Sequence, residues 1–326
     1  MRTVNVLIAL ASMILLAACG GKNDATPGAG PAATGSAPRP AASGNATAEE
    51  VAEEVRGDVD CPAEVKTPAP AAGAPVADVV GVRPGMTYEE AANVVMCSNE
   101  LMVVTSGGTG GFNIQTYGTP LRQGFTARLA EPRVEKTSKQ IMEEMQDDMM
   151  ARSGNAVRYD LKPGQAKWTV TTMGLPGAEK VIAAGREEWF AEGKNPAMPA
   201  VADALIKKYG NPGMNIDQPG QRWMRWIYDP RGRPVTETSP LFNSCVGTGA
   251  SGGVNLSPDC GLVIEAHVIP MQDNPGLARS MDVGVVDQAG GYQLVTSTEQ
   301  ALEQAEQQKR SKAVEEASKN AGSPTL

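Results

Sequence analysis

The sequence predicts an α+β fold, an antiparallel sheet with helices packed on one face, preceded by a disordered tether. Three observations predict it. Short segments that alternate apolar and polar residues recur from Leu101 onward, which is the pattern of half-buried strands. Between them lie longer segments with helical spacing and recognisable start and stop residues. Ahead of both, GGKNDATPGAGPAATGSAPRPAASGNATAEE holds almost nothing but Ala, Gly, Pro, Ser, Thr and Asn, and cannot bury a core.

Taken in order, Thr87 is a good N-cap and Glu90 stands three positions on, so a capping box should open a helix from Tyr88 to Met96. Strands are expected near Leu101 to Val104, Phe112 to Tyr117 and Gly124 to Leu129. IMEEMQDDMM then places Ile141, Met145 and Met149 at four-residue spacing, with Glu143, Glu144, Asp147 and Asp148 around the rest of the turn. That spacing predicts an amphipathic helix from about Val134 to Arg152 whose methionines pack in the core, copper ligation being the other use of such a stripe. AKWTVTTM and EKVIAAGREEWF alternate and are joined by GLPGA, a long hairpin. A helix from Ala197 to Tyr209 stops at Gly210 before Asn211-Pro212. RWMRWIYDPRG alternates and turns at Asp229-Pro230-Arg231-Gly232. Strands near Gly261 to Ile269, Met281 to Val286 and Tyr292 to Val295 complete the sheet. In the tail, Ser297, Thr298 and Glu299 stand in cap-like order before strong helix formers. Its apolar stripe, mostly Ala301, Ala305, Ala313 and Ala317 with Leu302 and Val314, is thin, which suits a solvated helix better than a coiled-coil partner site.

The amino terminus sets the compartment. Arg2 precedes the apolar run VLIALASMILLAA, in the order of a secretory signal, and the run is too short to span a bilayer. Leu16-Ala17-Ala18-Cys19 resembles the lipobox of bacterial lipoproteins. The resemblance implies cleavage before Cys19, acyl chains such as palmitate on that cysteine, and stable attachment to membrane lipid. Gly20, rather than Asp, after the cysteine implies the outer membrane by the enterobacterial rule, with the chain facing the periplasm. The chain then divides into a signal peptide over 1–18, a lipidated tether over 19–76, an α+β domain over 77–297 and a solvated helical tail over 298–326. A flexible tether of that length spans about 40 Å root-mean-square.

Charge and cysteine usage narrow the function. The net charge of -8 becomes -9 once Arg2 leaves with the signal, and no Lys/Arg-rich run occurs, so the composition speaks against nucleic-acid binding. After Cys19, four cysteines remain, Cys61, Cys97, Cys245 and Cys260, an even number with no C-x-x-C spacing. Of the three connectivities, proximity favours Cys61 with Cys97 and Cys245 with Cys260; free thiols are the alternative. GTGASGG, Gly247 to Gly253, matches both G-x-G-x-x-G and G-x-S-x-G, but turn residues flank it where either motif needs a strand and a helix, so it reads as a disulfide-closed loop. The single histidine, His267, shares a strand face with Val263 and Glu265, where a polar strand face is the simple explanation and a general base the sharper one. No cofactor or metal set is legible.

Gly85-Met86-Thr87 opening a helix, then Tyr209-Gly210-Asn211-Pro212, then Trp226-Ile227-Tyr228 resembles the SmpA/OmlA or BamE-like outer-membrane lipoproteins. In those proteins the words form one compact unit; here roughly a hundred residues separate them. The resemblance implies a non-catalytic assembly role through contacts with envelope proteins. Trp223 and Trp226 lie on opposite faces of their strand, and an exposed tryptophan beside Arg222 and Arg225 would suit a partner surface. Two functions are therefore expected: a membrane-anchored interaction module, with an accessible aromatic patch and no polar cleft, or an envelope hydrolase with two converging carboxylates.

Overall fold

A computed structural model of the chain describes residues 44–320 and 322, apart from 58, 70, 106–110, 154–160, 219 and 248–253. Among these, the alternating segments pair into one sheet of β1 (Met102–Thr105), β2 (Gly124–Leu129), β3 (Ala166–Met173), β4 (Lys180–Trp189), β5 (Met214–Gln218), β6 (Gln221–Ile227), β7 (Leu262–Pro270) and β8 (Ala278–Asp287). Every neighbouring pair is antiparallel, in the order β1-β2-β3-β4-β8-β7-β6-β5. The helices are α1 (Ala48–Arg56), α2 (Tyr88–Cys97), α3 (Ser138–Ser153), α4 (Met198–Tyr209) and α5 (Gln288–Asn320). The α+β class read from the sequence, an antiparallel sheet with helices against it, is the one observed, with α2 and α4 on one face and the first turns of α5 on the other.

The order of strands contains a repeat that the sequence did not show. A helix followed by a four-strand meander occurs twice, α2 with β1 to β4 and α4 with β5 to β8, and the two units meet where β4 pairs with β8. Each helix begins the same way. Tyr88 N donates to Glu179 O at 3.2 Å and Val181 N to Met86 O at 2.8 Å, clasping the start of α2 to the start of β4. In the second unit Met198 N donates to Gly276 O at 2.9 Å and Ala278 N to Pro196 O at 2.8 Å, clasping α4 to β8 in the same way.

Alternation sorts the strand residues between two faces. On one, Trp168, Val170, Met224, Trp226, Ile264, Ala266, Val283 and Val285 are buried under Ala91 and Val95 of α2 and under Val201, Ala202 and Leu205 of α4. On the other, Ile182, Ile227, Val263 and Val286 are covered by Phe242, the Cys245–Cys260 loop, and Leu294 and Val295 in the first turns of α5. Gly291 permits that second contact: a Cβ there would stand 2.4 Å from Ile182 Cγ2 and 2.8 Å from Leu256 Cδ2. Ala52 of α1 closes a small third cluster with Val103 and Ala130.

Glu90 is the keystone of α2. The capping box is present, with Thr87 Oγ1 accepting from Glu90 N at 3.2 Å and Glu90 Oε2 accepting from Thr87 N at 2.9 Å. The same carboxylate reaches upstream: Oε1 accepts from Thr67 N at 2.6 Å and from Lys66 N, and Oε2 from the Thr67 hydroxyl. At the other end of α2, Cys97 is disulfide-bonded to Cys61. The chain from 61 to 67 is therefore fastened along α2 at both ends, running opposite to it.

Several expectations need correction. Residues 46–67, expected within the tether over 19–76, are instead structured: α1 is capped by Thr47 and Glu50, Ala46 bridges Arg133, and the 61–67 segment is docked on α2; residues 19–43 lie outside the described residues. Phe112 to Tyr117 is not a strand. Phe112 and Ile114 do turn inward against the second cluster, so the alternation is real, but no strand pairs with the segment. The strand expected at Tyr292 to Val295 is the second turn of α5. Asp287 Oδ1 accepts from Gly290 N at 3.0 Å and starts the helix there, and four residues of alternation do not distinguish the two periods. Thr298, read as a cap, is mid-helix and donates back to Leu294 O at 2.7 Å. The edge strand β5 was not expected: MNIDQ alternates, but it is only five residues long, holds two apolar side chains and leaves four of its five residues exposed. The methionine helix α3 is present, but its stripe is not in the core: Ile141, Met142, Met145 and Met149 are 47%, 71%, 67% and 70% exposed. Periodicity shows that a helix has an apolar side, not that anything covers it.

Burial opposes the charged form of Glu90, yet the Thr67 hydroxyl and the N–H groups of Thr87, Thr67 and Lys66 outweigh it and hold the carboxyl below the ordinary glutamate range. Glu179 shows the same balance, burial against Arg122 and backbone N–H groups, and is also held low. A depressed folded pKa gives stability that is present above the unfolded value of about 4.3 and is lost as pH falls through the folded one. Glu90→Gln places an NH2 group where donors converge, and should cost about 2 kcal/mol at neutral pH by urea denaturation. The variant's stability should also fall less steeply than wild type below about pH 4; parallel acid profiles would assign the keystone elsewhere.

Candidate functional site

The face of the sheet away from α2 and α4 carries the polar residues singled out by the sequence. Register places Lys167, Glu187, Asp282, His267, Trp223 and Ile216 as successive cross-strand partners in one row. The adjoining row is Thr169, Gly185, Gly284, Glu265, Arg225 and Met214. Trp223 stacks on His267 with ring centroids 4.0 Å apart and planes at 17°. His267 Nδ1 lies 3.2 Å from Asp282 Oδ2, and Nε2 lies 3.0 Å from Gln221 Oε1. Both ring nitrogens are thus engaged within the protein, whereas a general base must aim one at a substrate.

Trp226 must be withdrawn from the partner surface. It is 1% exposed, packs on Tyr209 at 5.3 Å between centroids, and donates from Nε1 to Gly210 O at 2.8 Å. Two of the words shared with the SmpA/OmlA pattern, Tyr209-Gly210 and Trp226, are therefore one packing unit that locks the end of α4 to β6. Trp223 stays on the other face, partly buried by its stack on His267.

Beside that row, Arg225 donates from Nη2 to Glu265 Oε1 at 3.1 Å, with both side chains mostly buried. Glu265 Oε2 and Arg225 Nε lie buried without a hydrogen-bond partner. Gly247 rests directly on this carboxylate, for a Cβ there would meet Glu265 Oε2 at 2.2 Å. The first glycine of GTGASGG thus has a packing role; residues 248–253 lie outside the described residues, as does Cys19. Both disulfides join the favoured pairs, Cys61 with Cys97 and Cys245 with Cys260.

The hydrolase reading asks for two carboxylates in one pocket, and the interaction reading for no polar cleft. A cleft of about 570 Å³ is in fact present where α5 begins, with Arg83, Asp229, Asp287 and Gln293 on its walls. Its carboxylates serve the fold. Asp229 accepts from Arg233 Nε at 2.7 Å and from the N–H groups of Arg231 and Arg233 at 2.9 Å. Those bonds, the Arg233 N–H first and its guanidinium next, hold Asp229 below the ordinary aspartate range. Asp287 caps α5 through Gly290. A general acid needs a carboxyl held high, the opposite of Asp229. Among the described residues no group of three or more His, Cys, Asp or Glu could hold a metal ion.

The feature with most to offer a partner is α3. Ile141, Met145 and Met149 recur every four residues and Met142 widens the stripe, so four large apolar side chains lie open on one helix. Exposed Glu143 and Glu144 accompany it, held in ion pairs with Lys139 at 3.7 Å and Lys136 at 2.6 Å. The sequence signalled this stripe correctly and its destination wrongly.

The chain matches no family model, no curated protein and no solved structure.

A buried pair broken on one side leaves an uncompensated charge. Arg225→Met should cost about 3 kcal/mol, and Arg225→Met with Glu265→Leu should recover most of it. Failure of the double variant to recover would mean that the pair, and not its charge alone, supports the Gly247 loop.

Proposed function

We propose that the chain is an envelope lipoprotein, anchored in the outer membrane through acylated Cys19 and facing the periplasm, that acts as a non-catalytic interaction module. The single observation that carries the interaction reading is the open apolar stripe of α3. Contiguous exposed apolar surface marks a binding site, and methionine is the residue that adapts to a partner's shape. A helix presenting exposed apolar anchors at i, i+4 and i+8 suits an apolar groove on another protein. The partner is therefore an envelope protein with such a groove. Two further observations support the compartment: the lipobox-like Leu16-Ala17-Ala18-Cys19 in the sequence, and two disulfides, which persist in oxidising surroundings. The resemblance to the SmpA/OmlA lipoproteins, which rests on the quoted residues alone, points to the same class of role.

A photo-crosslinking amino acid at exposed Gln146 of α3, in cells of the source bacterium, should trap one or a few envelope proteins. Replacing Met142, Met145 and Met149 together with serine should lower capture about tenfold, the loss of a modest anchor. The unfolding temperature should not fall, since all three are exposed. Absence of any trapped protein, or capture indifferent to the triple change, would overturn the reading. Loss of palmitate-analogue labelling in Cys19→Ser tests the anchor separately.

A further inference from the structure

Under α4, on the face away from the Trp223 row, lies a second opening that neither function uses. It is a groove of about 350 Å³ with Ala200, Ala204 and Leu205 of α4 on one side, Met281 and Val283 of β8 beneath, and Phe190 at one end. Ala200 and Ala204 are one turn apart, and their small side chains leave the space. Only two charged residues line it, Arg186 and Lys208, and both are cations.

The rim carries backbone strain. Val80 has φ 45° and Gly81 φ 86°, the geometry of a tight type I′ turn whose first central position normally falls to Asn, Asp or Gly. A β-branched residue in the left-handed region is an outlier, and such strain persists only where neighbours enforce it and collects at functional sites. Here the enforcing residue is Asp78. Its side chain accepts from Gly81 N at 2.8 Å and Lys208 Nζ at 2.9 Å, and its carbonyl accepts from the Tyr209 hydroxyl at 2.8 Å, which ties the turn to the end of α4. Val80 is nevertheless 52% exposed. The molecule thus holds an apolar side chain in a strained, wet position at the mouth of an apolar groove.

We propose that this groove binds the alkyl chain of a free fatty-acid-like carboxylate. The chain lies between α4 and the sheet, the carboxylate meets Arg186 and Lys208, and Val80 covers the chain at the mouth. The cations have donors to spare: Arg186 carries five N–H groups and bonds Glu188, and Lys208 carries three and bonds Asp78. The volume sits at the low end of ligand pockets, roughly 300 to 1,000 Å³, which suits one chain and not a two-tailed lipid.

The test uses the full-length protein in phosphatidylcholine vesicles with a mid-chain diazirine analogue of dodecanoate, irradiated and mapped by peptide mass spectrometry. Label should enter α4 and the Met281 to Val283 stretch, and dodecanoate should compete where dodecanol does not. Ala204→Trp fills the groove and should abolish labelling. Should that variant not fold, Arg186→Gln with Lys208→Gln decides: dodecanoate should compete about tenfold less well, the worth of one charge-assisted bond. Val80→Asn relieves the turn, so the unfolding temperature should rise while labelling falls. Label spread over α3, equal competition by dodecanol, or labelling untouched by Arg186→Gln with Lys208→Gln would overturn the proposal. Equal labelling from a diazirine carried on a phospholipid would also overturn it, by assigning the groove to membrane lipid.

Discussion

The pairing of β4 with β8 is the constraint on which the rest of the molecule depends. Each half of the chain builds a meander that would end in an open strand, and an open strand edge exposes unpaired backbone groups. Seven residue pairs from Ala183 with Val286 to Trp189 with Ser280 close those two edges against each other. Gly185 stands opposite Gly284 within the seam, so no side chain separates the halves there on the face that carries His267. Joining the halves brings Val283 and Val285 beside Ala184 under the helices, and brings Glu187 beside Asp282 on the other face. Neither the large core nor the polar row exists within one half alone.

The two faces then divide the work. One is covered by α2 and α4, which is why Trp226 belongs to the core in spite of the aromatic surface its strand suggested. The other is sealed only toward α5 and the Cys245–Cys260 loop, leaving the Trp223 and His267 row half open. Burial accounts for the core side chains in these terms and leaves a set of exposed apolar ones. Among them are the stripe of α3, which recurs along one helix, and Val80, which is also strained.

Much of this arrangement was legible in the sequence, for identifiable reasons. Thr87 with Glu90, Gly210 before Asn211-Pro212, and the alternation of AKWTVTTM are local signals, and each element they announced is present. Sequence proximity sufficed for both disulfides. What could not be read was non-local. FNIQTY alternates whether or not a strand lies beside it, and YQLV is too short to choose between periods. The spacing of Ile141, Met145 and Met149 fixes a side of the helix but not a neighbour. The repeat of helix and meander stayed hidden because each half is interrupted between its second and third strands, by α3 in one and by the disulfide loop in the other. Arg186, Lys208 and Val80 come together only through the fold, and no spacing connects them.

Glu90 also imposes an order of assembly. The segment 44–68 precedes in the chain the groups that hold it: Glu90, Cys97, Val103 and Arg133 all follow. It is made before them and can dock only after them. Until α2 has formed, Cys61 has no Cys97 beside it and Thr67 has no carboxylate to bind. Once Glu90 has closed the capping box, its oxygens are already aimed upstream, so completion of the helix creates the receptor for the waiting segment. The arm over 61–67 is thereby fastened only once the first turn of α2 has formed.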